Sequence, residues 1–213
     1  MNERINRPEY LNRLIEYKDK EVVKIITGIR RSGKSTLLDL FEDYLLNEGV
    51  PESNIIHMNM ESLQHVDLLD YMTFYAYVSK KIVRGEKNYL IFDELQAVTH
   101  WEKAVESFRI DFGSDVDIYI TGSNSYLLSS EFSTLLSGRY VEIRVLPLSF
   151  KEFLTFCTFA PDVAMDDKFQ RYLQFGGMPV LRQFDFNEAR INEVLEGIYS
   201  TIILRDVMER NKV

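Results

Sequence analysis

Gly28 to Ser35 read GIRRSGKS, which satisfies the pattern G-x-x-x-x-G-K-[ST]. The pattern describes a loop whose backbone N–H groups converge on a phosphate. Gly28 and Gly33 must therefore permit unusual backbone angles and leave room for the anion. In such a loop Ile29, Arg30, Arg31 and Ser32 line the phosphate with backbone, Lys34 reaches the β and γ phosphates, and Ser35 sets its hydroxyl on Mg²⁺. A helix opening at Thr36 adds the positive end of its dipole. Average residue usage makes a chance match in a chain of this size a matter of about one per cent. The flanks fit as well. Val22, Val23, Ile25 and Ile26 form a β-branched run before the loop, and Leu37, Leu38, Phe41, Tyr44 and Leu45 recur at helical spacing after it. Strand, loop and helix follow in the order the motif requires.

With 213 residues, 46% of them hydrophobic, the chain can bury a substantial core. No apolar run approaches bilayer length, and the start MNERINRPEY lacks the apolar centre of a secretory signal. The expectation is a cytoplasmic protein with no membrane segment. The formal charge of −8 argues against a broad nucleic-acid footprint on this segment. The single cysteine, Cys157, lies in the apolar stretch FLTFCTF and reads as a buried structural thiol. His57, His65 and His100 have no metal-ligand spacing, so no structural metal is assigned.

Along the chain, Tyr10, Leu11, Leu14 and Ile15 predict a short helix entered at Pro8. Strands are expected at Val22 to Thr27, Asn54 to Asn59, Tyr89 to Asp93, Asp117 to Thr121 and Tyr140 to Val145. Between the second and third, Leu68, Met72, Tyr75, Ser79 and Ile82 fit helical spacing, which makes the aromatic residues there helix packing rather than a base-stacking platform. Strands alternating with helical segments predict an α/β fold with a parallel sheet, helices on both faces and the phosphate loop at the carboxyl edge. Residues 1–147 form this core. From residue 148 to 213 the pattern is helical, broken at Ala160-Pro161 and Gly176-Gly177-Met178-Pro179, and reads as a small lid.

A phosphate loop alone does not distinguish holding, transferring and hydrolysing a nucleotide; an acidic partner does. The segment YLIFDEL ends an apolar strand in Asp93-Glu94. Asp93 belongs near Mg²⁺, and Glu94 is free to orient and deprotonate an attacking water. The fourth strand runs into ITGSN, where Ser123 or Asn124 can help place that water, or can simply end the strand as a turn. Arg139, just before the fifth strand, can act as a finger on a neighbouring subunit's γ phosphate, or close a turn at the surface. The side chains of Arg30 and Arg31 carry the same ambiguity.

Together, GIRRSGKSTLL, YLIFDELQ with Trp101 shortly after, ITGSN, SGRYVEIRVLPLSFKEF and YLQFGGMPVL resemble the bacterial and archaeal AAA-type ATPases whose core is followed by a DUF4143 domain. The likeness spans nearly the whole chain. The nucleotide motifs are shared by many ATPases, but GIRRSGKST followed by DELQ and then LPLSF with GGMP is a specific combination. The resemblance implies an AAA+ P-loop NTPase with a five-stranded parallel sheet and a helical lid, using ATP and Mg²⁺. Residue by residue it implies Lys34 and Ser35 for phosphate and metal, Asp93 and Glu94 as the acidic pair, Asn124 or Ser123 as first sensor and Arg139 as the finger. Arg182 and Arg205 are both open as a second sensor. Members of this family run on into a winged-helix-like segment and a further domain, so a shortened chain is expected, with DNA or protein contacts carried by a C-terminal region beyond Val213.

The leading functional expectation is an ATPase that moves its lid against the core, acting on an unknown partner and assembling as a homo-oligomer. The alternative is a slow or non-hydrolysing ATP-dependent switch that orders a surface for protein or DNA. A kinase is the weakest reading, because the Asp93-Glu94 pair suits water as acceptor.

Overall fold

The computed structural model describes residues 6–122 and 138–202. Five strands, β1 (Val23–Thr27), β2 (Ile55–Asn59), β3 (Asn88–Asp93), β4 (Val116–Thr121) and β5 (Tyr140–Arg144), form one parallel sheet in the order β2-β3-β4-β1-β5. The expected α/β P-loop NTPase architecture is present, with strand ends within a residue of those read from the sequence. β1, β3 and β4 are buried along their whole length because both faces of the sheet are covered, which is why they read as unbroken runs rather than alternating ones.

One face is covered by α1 (Pro8–Glu16) and α2 (Lys34–Asn47), whose Leu14, Leu38, Phe41 and Leu45 pack on Ile26, Ile91 and Tyr119. The other is covered by α3 (Tyr71–Ser79) and α4 (Trp101–Phe112), whose Phe74, Val78, Val105 and Phe108 meet Ile25, Leu90, Phe92 and Ile120. Adjacent residues on each strand thus serve opposite cores. Two helical expectations are corrected. α2 opens at Lys34, not Thr36, so Lys34 and Ser35 lie in its first turn. The buried stripe of α3 passes through Tyr71, Phe74, Tyr75 and Val78, while Met72 faces solvent. Phe74 stacks edge-on against Phe92 and Phe108, and Tyr75 stacks on Phe108, so these two aromatic residues are packing, while Tyr77 is exposed.

Two charges break the apolar strands, and they answer each other. Lys24 on β1 is 0% exposed, and its ammonium pairs with Asp117 on β4 and donates to the Lys20 carbonyl at 2.8 Å. Asp117 also accepts the Asp19 N–H at 2.8 Å and the Tyr119 hydroxyl at 2.9 Å. Tyr89 donates to Asp19 at 2.9 Å, so the turn after α1 is stitched to the amino edge of the sheet. Burial holds the Lys24 pKa below its usual value despite Asp117, and pushes the Tyr119 hydroxyl strongly up.

After β5 come α5 (Phe150–Phe156), α6 (Met165–Phe175), a 3-10 turn (Pro179–Gln183) and α7 (Glu188–Thr201). Ser149 and Glu152 close a capping box at the start of α5. Phe175, Met178, Leu181, Ile191 and Ile198 make one small apolar cluster, and Leu148, Phe153 and Cys157 another. Burial pushes the Cys157 thiol up to about 11, the state of an unreactive packed thiol. Gly177 lies so close to Leu148 that a Cβ would stand 2.2 Å from its carbonyl oxygen, and the Leu148 N–H donates to the Gly177 carbonyl at 2.6 Å. The Gly-Gly break is therefore where the chain after α6 packs on the backbone that leads into α5. No described helix is long and apolar enough to cross a membrane.

Lys24→Met should destabilise the fold by about 3–5 kcal/mol, because it leaves Asp117 charged, buried and without its ion-pair partner. Urea unfolding checks this.

Candidate functional site

In the order β2-β3-β4-β1-β5, β1 is followed by β2 on one side of it while its neighbour β4 is followed by β5 on the other, so the strand order reverses at β1 and a crevice opens at its carboxyl end. The loop fills that crevice. Gly28 has φ 148°, and a Cβ on it would lie 2.3 Å from the Val145 carbonyl oxygen. Arg31 takes a left-handed conformation at φ 64°, and Gly33 at φ 98° caps α2. No side chain caps this helix, so its first-turn amides and the positive end of its dipole face the loop. Lys34 is 4% exposed, and its ammonium folds back over the loop to the carbonyls of Gly28 at 3.0 Å and Ile29 at 3.3 Å. The Ser32 hydroxyl is buried against Gly28 without a hydrogen-bond partner.

These features fit a phosphate group. Left-handed backbone, an uncapped helix start, a convergent ammonium and a buried orphan hydroxyl are donors gathered around one small concavity. Ser35 and Thr36 follow in the first turn, both exposed.

β3 brings the acidic pair to the same edge. Asp93, its last residue, is 2% exposed and accepts from Asn59 Nδ2 at 2.8 Å and from the Thr121 hydroxyl. Glu94 turns out of the strand in a left-handed conformation at φ 52°. Its N–H donates to Thr121 Oγ1 at 3.0 Å, so one hydroxyl at the end of β4 holds both acidic residues. Glu94 Oε2 accepts from Gln96 Nε2 at 2.5 Å. Lys34, Ser35 and Glu94 share a cleft of about 300 Å³ whose opposite wall is Pro179, Val180 and Gln183 of the 3-10 turn. Asp93, buried beside Glu94, does not line it.

The remaining expected residues are dispersed. Arg30 faces Glu61 at 3.5 Å, and Arg31 is exposed at the rim. Ser123, Asn124 and Arg205 lie outside the described residues. Arg182 belongs to the 3-10 turn that walls the cleft. Arg139 stands at the opposite edge of the sheet: its carbonyl accepts the Val23 N–H at 3.0 Å, so the whole length of β1, roughly 13 Å, separates it from the loop. Its side chain is 62% exposed, 3.9 Å from Glu106.

Sequence reading missed Thr121, Asn59, Gln96 and the 3-10 wall. A signal for the first two exists: β1 to β4 end in Thr27, Asn59, Asp93 and Thr121, each an apolar run closed by a polar residue at the carboxyl edge.

A family model described as an AAA domain matches residues 20–154, from the turn before β1 into α5. The chain belongs to this AAA family. An uncharacterized protein of Haemophilus influenzae is 42% identical over 208 residues, covering 97% of this chain and 51% of its own length. Uncharacterized protein MJ1544 of Methanocaldococcus jannaschii is 32% identical over 217 residues, covering 97% of this chain and 47% of its own. The chain thus spans about half the length of the curated relatives it matches. Among solved structures, the Walker-type ATPase PABY2304 of Pyrococcus abyssi is similar with TM-score 0.63 and 19% identity, over 93% of this chain and 74% of that one. PCH-2 of Caenorhabditis elegans is similar with TM-score 0.52 and 13% identity, over 91% and 67%. At these identities the likeness is one of fold.

Thr121→Val should cost about 1–3 kcal/mol by leaving the Glu94 N–H and one Asp93 oxygen buried without a partner, and Thr121→Ser should restore most of it. Urea unfolding midpoints distinguish the two.

Proposed function

We propose that this AAA chain binds ATP with Mg²⁺ and hydrolyses it, coupling turnover to movement of residues 148–213 against a core of residues 1–147. The observation that carries the reading is the shared cleft: Lys34 and Ser35 from the first turn of α2 and Glu94 just after β3 face one space, with the 3-10 turn opposite. The loop backbone from Gly28 to Gly33 cradles the phosphates, with Lys34 on the β and γ groups. Ser35 and Asp93 hold Mg²⁺, which when bound neutralises phosphate charge. Glu94 orients and deprotonates the water. The two apolar clusters confined to residues 148–202 support a lid that packs as its own layer.

Arg139 serves a neighbouring subunit in this reading. Exposure at the edge remote from its own loop supports action in trans within a homo-oligomer. Residues Ser123 or Asn124 supply the first sensor. The relatives' greater length supports a longer protein whose C-terminal part, of the DUF4143 type, carries protein or DNA contacts.

One observation favours slow turnover. The Glu94 carboxylate is held by Gln96, a contact that restrains the base until something releases it. In this form the protein is a switch whose ATP state persists.

Lys34→Ala should abolish ATP binding, whereas Glu94→Gln should bind ATP normally and lose at least about 100-fold in kcat. Equilibrium binding and phosphate release on both variants check the assignment. Arg139→Ala should leave binding intact and remove any rise of specific activity with protein concentration.

If Gln96 restrains Glu94, Gln96→Ala should raise kcat by about tenfold, the equivalent of one hydrogen bond to a charged group. An unchanged or lower kcat would overturn the restrained-base reading.

A further inference from the structure

Arg7 precedes α1 and is 5% exposed, unusual burial for an arginine so near the start of a chain. Its guanidinium forks onto Glu152 of α5, Nε to Oε1 at 2.7 Å and Nη2 to Oε2 at 3.1 Å. Nη1 donates to the Ser32 carbonyl in the phosphate loop at 3.1 Å and to the Leu146 carbonyl after β5 at 2.8 Å. The guanidinium also lies 4.4 Å from the Tyr10 ring centroid, and the Tyr10 hydroxyl accepts the Leu146 N–H at 3.2 Å. One rigid planar group thus spans the phosphate loop, the exit from β5 and the first turn of the lid.

The contact with Ser32 bears on the loop directly. In a planar trans peptide the C=O and N–H point in opposite directions within the one plane. Anchoring the Ser32 carbonyl toward Arg7 therefore aims the Gly33 N–H the other way. The Glu152 contact bears equally on the lid. Its Oε2 accepts the Ser149 N–H and hydroxyl, each at 2.9 Å, so the carboxylate that caps α5 is the one that grips Arg7. Burial would raise the Glu152 pKa, but the hydrogen bonds from Arg7 and Ser149 outweigh it and hold the carboxyl below its ordinary value.

We propose that Arg7 is a positioning residue that sets the Ser32-Gly33 peptide for phosphate and couples the state of that loop to helix α5 through Glu152. The proposal rests on the nucleotide-site reading above and deepens it by naming the link between loop and lid. A shift of the Ser32 carbonyl on phosphate binding changes one of the contacts that seat Arg7, and the same guanidinium passes the change to the α5 cap. Thermodynamic linkage makes the effect reciprocal: loosening α5 weakens nucleotide binding.

The test uses the 213-residue chain with MgATP and its non-hydrolysable imido analogue as probes. Equilibrium binding is measured alongside hydrogen–deuterium exchange over residues 150–156. Wild type should bind and show slower exchange in α5 when the analogue is present. Glu152→Gln keeps the Ser32 contact and the shape of the cap; it should bind within about threefold of wild type while losing most of the nucleotide-dependent protection. Arg7→Lys keeps the charge but cannot make the fork, and should lose about tenfold in affinity together with that protection. A purely structural Arg7 would lower the melting temperature without separating binding from protection. Protection retained in Glu152→Gln, or absent in a wild type that binds, overturns the coupling alone. A wild type that binds neither probe overturns the nucleotide-site reading along with it.

Discussion

The fold depends on how closely the chain leaving β1 passes the chain leaving β5. Gly28 lies under the Val145 carbonyl with no space for a Cβ, and the Val145 N–H closes on the Thr27 carbonyl at 2.7 Å. β1 is already hydrogen-bonded along both sides, so the loop cannot shift sideways to relieve a larger residue. Compression at this point forces the backbone back over itself before α2 begins. The resulting concavity is the space in which the amides, Lys34 and the Ser32 hydroxyl gather.

Charge placement in the sheet follows from the same burial. Residues in the middle of β1, β3 and β4 cannot meet water, so polar groups survive only where they find one another. At the amino edge, Lys24 and Asp117 neutralise each other across adjacent strands and draw the Asp19 turn onto the sheet. At the carboxyl edge, Asp93 is held by two neutral donors, Thr121 and Asn59. The first arrangement pairs a cation with a carboxylate and the second holds a carboxylate by neutral groups alone, which suits a site that meets Mg²⁺ under the proposed function.

Among the described residues, the fork of Arg7 onto Glu152 ties the segment after β5 to the phosphate loop and to the approach to α1. Gly177 against Leu148 is a close backbone approach within residues 148–202 that a side chain at 177 would disturb, whereas Arg7 with Glu152 is a side-chain ion pair to the start of the chain before α1. An attachment of this kind can hold one geometry firmly and still be released by displacing few groups, which is the property required of a moving lid.

Much of this was legible before the structure. The octapeptide at Gly28 and five apolar runs separated by helical segments specified a parallel sheet with a phosphate loop at its carboxyl edge, because periodicity and local backbone demands are written residue by residue. Asp93-Glu94 was legible for the same reason. Strand order was not, and with it went Thr121, whose role exists only because β4 lies beside β3. The stripe of α3 was misread at Met72 because three neighbouring apolar residues offered two helical faces, and only the position of Phe92 and Phe108 chose between them. Arg7 lies 145 residues from Glu152 in sequence, so no local pattern could pair them. The sequence by itself determined the elements and the chemistry at the loop. Tertiary structure decided which distant groups share a hydroxyl, a carboxylate or a cleft, since those contacts depend on the order in which strands lie side by side.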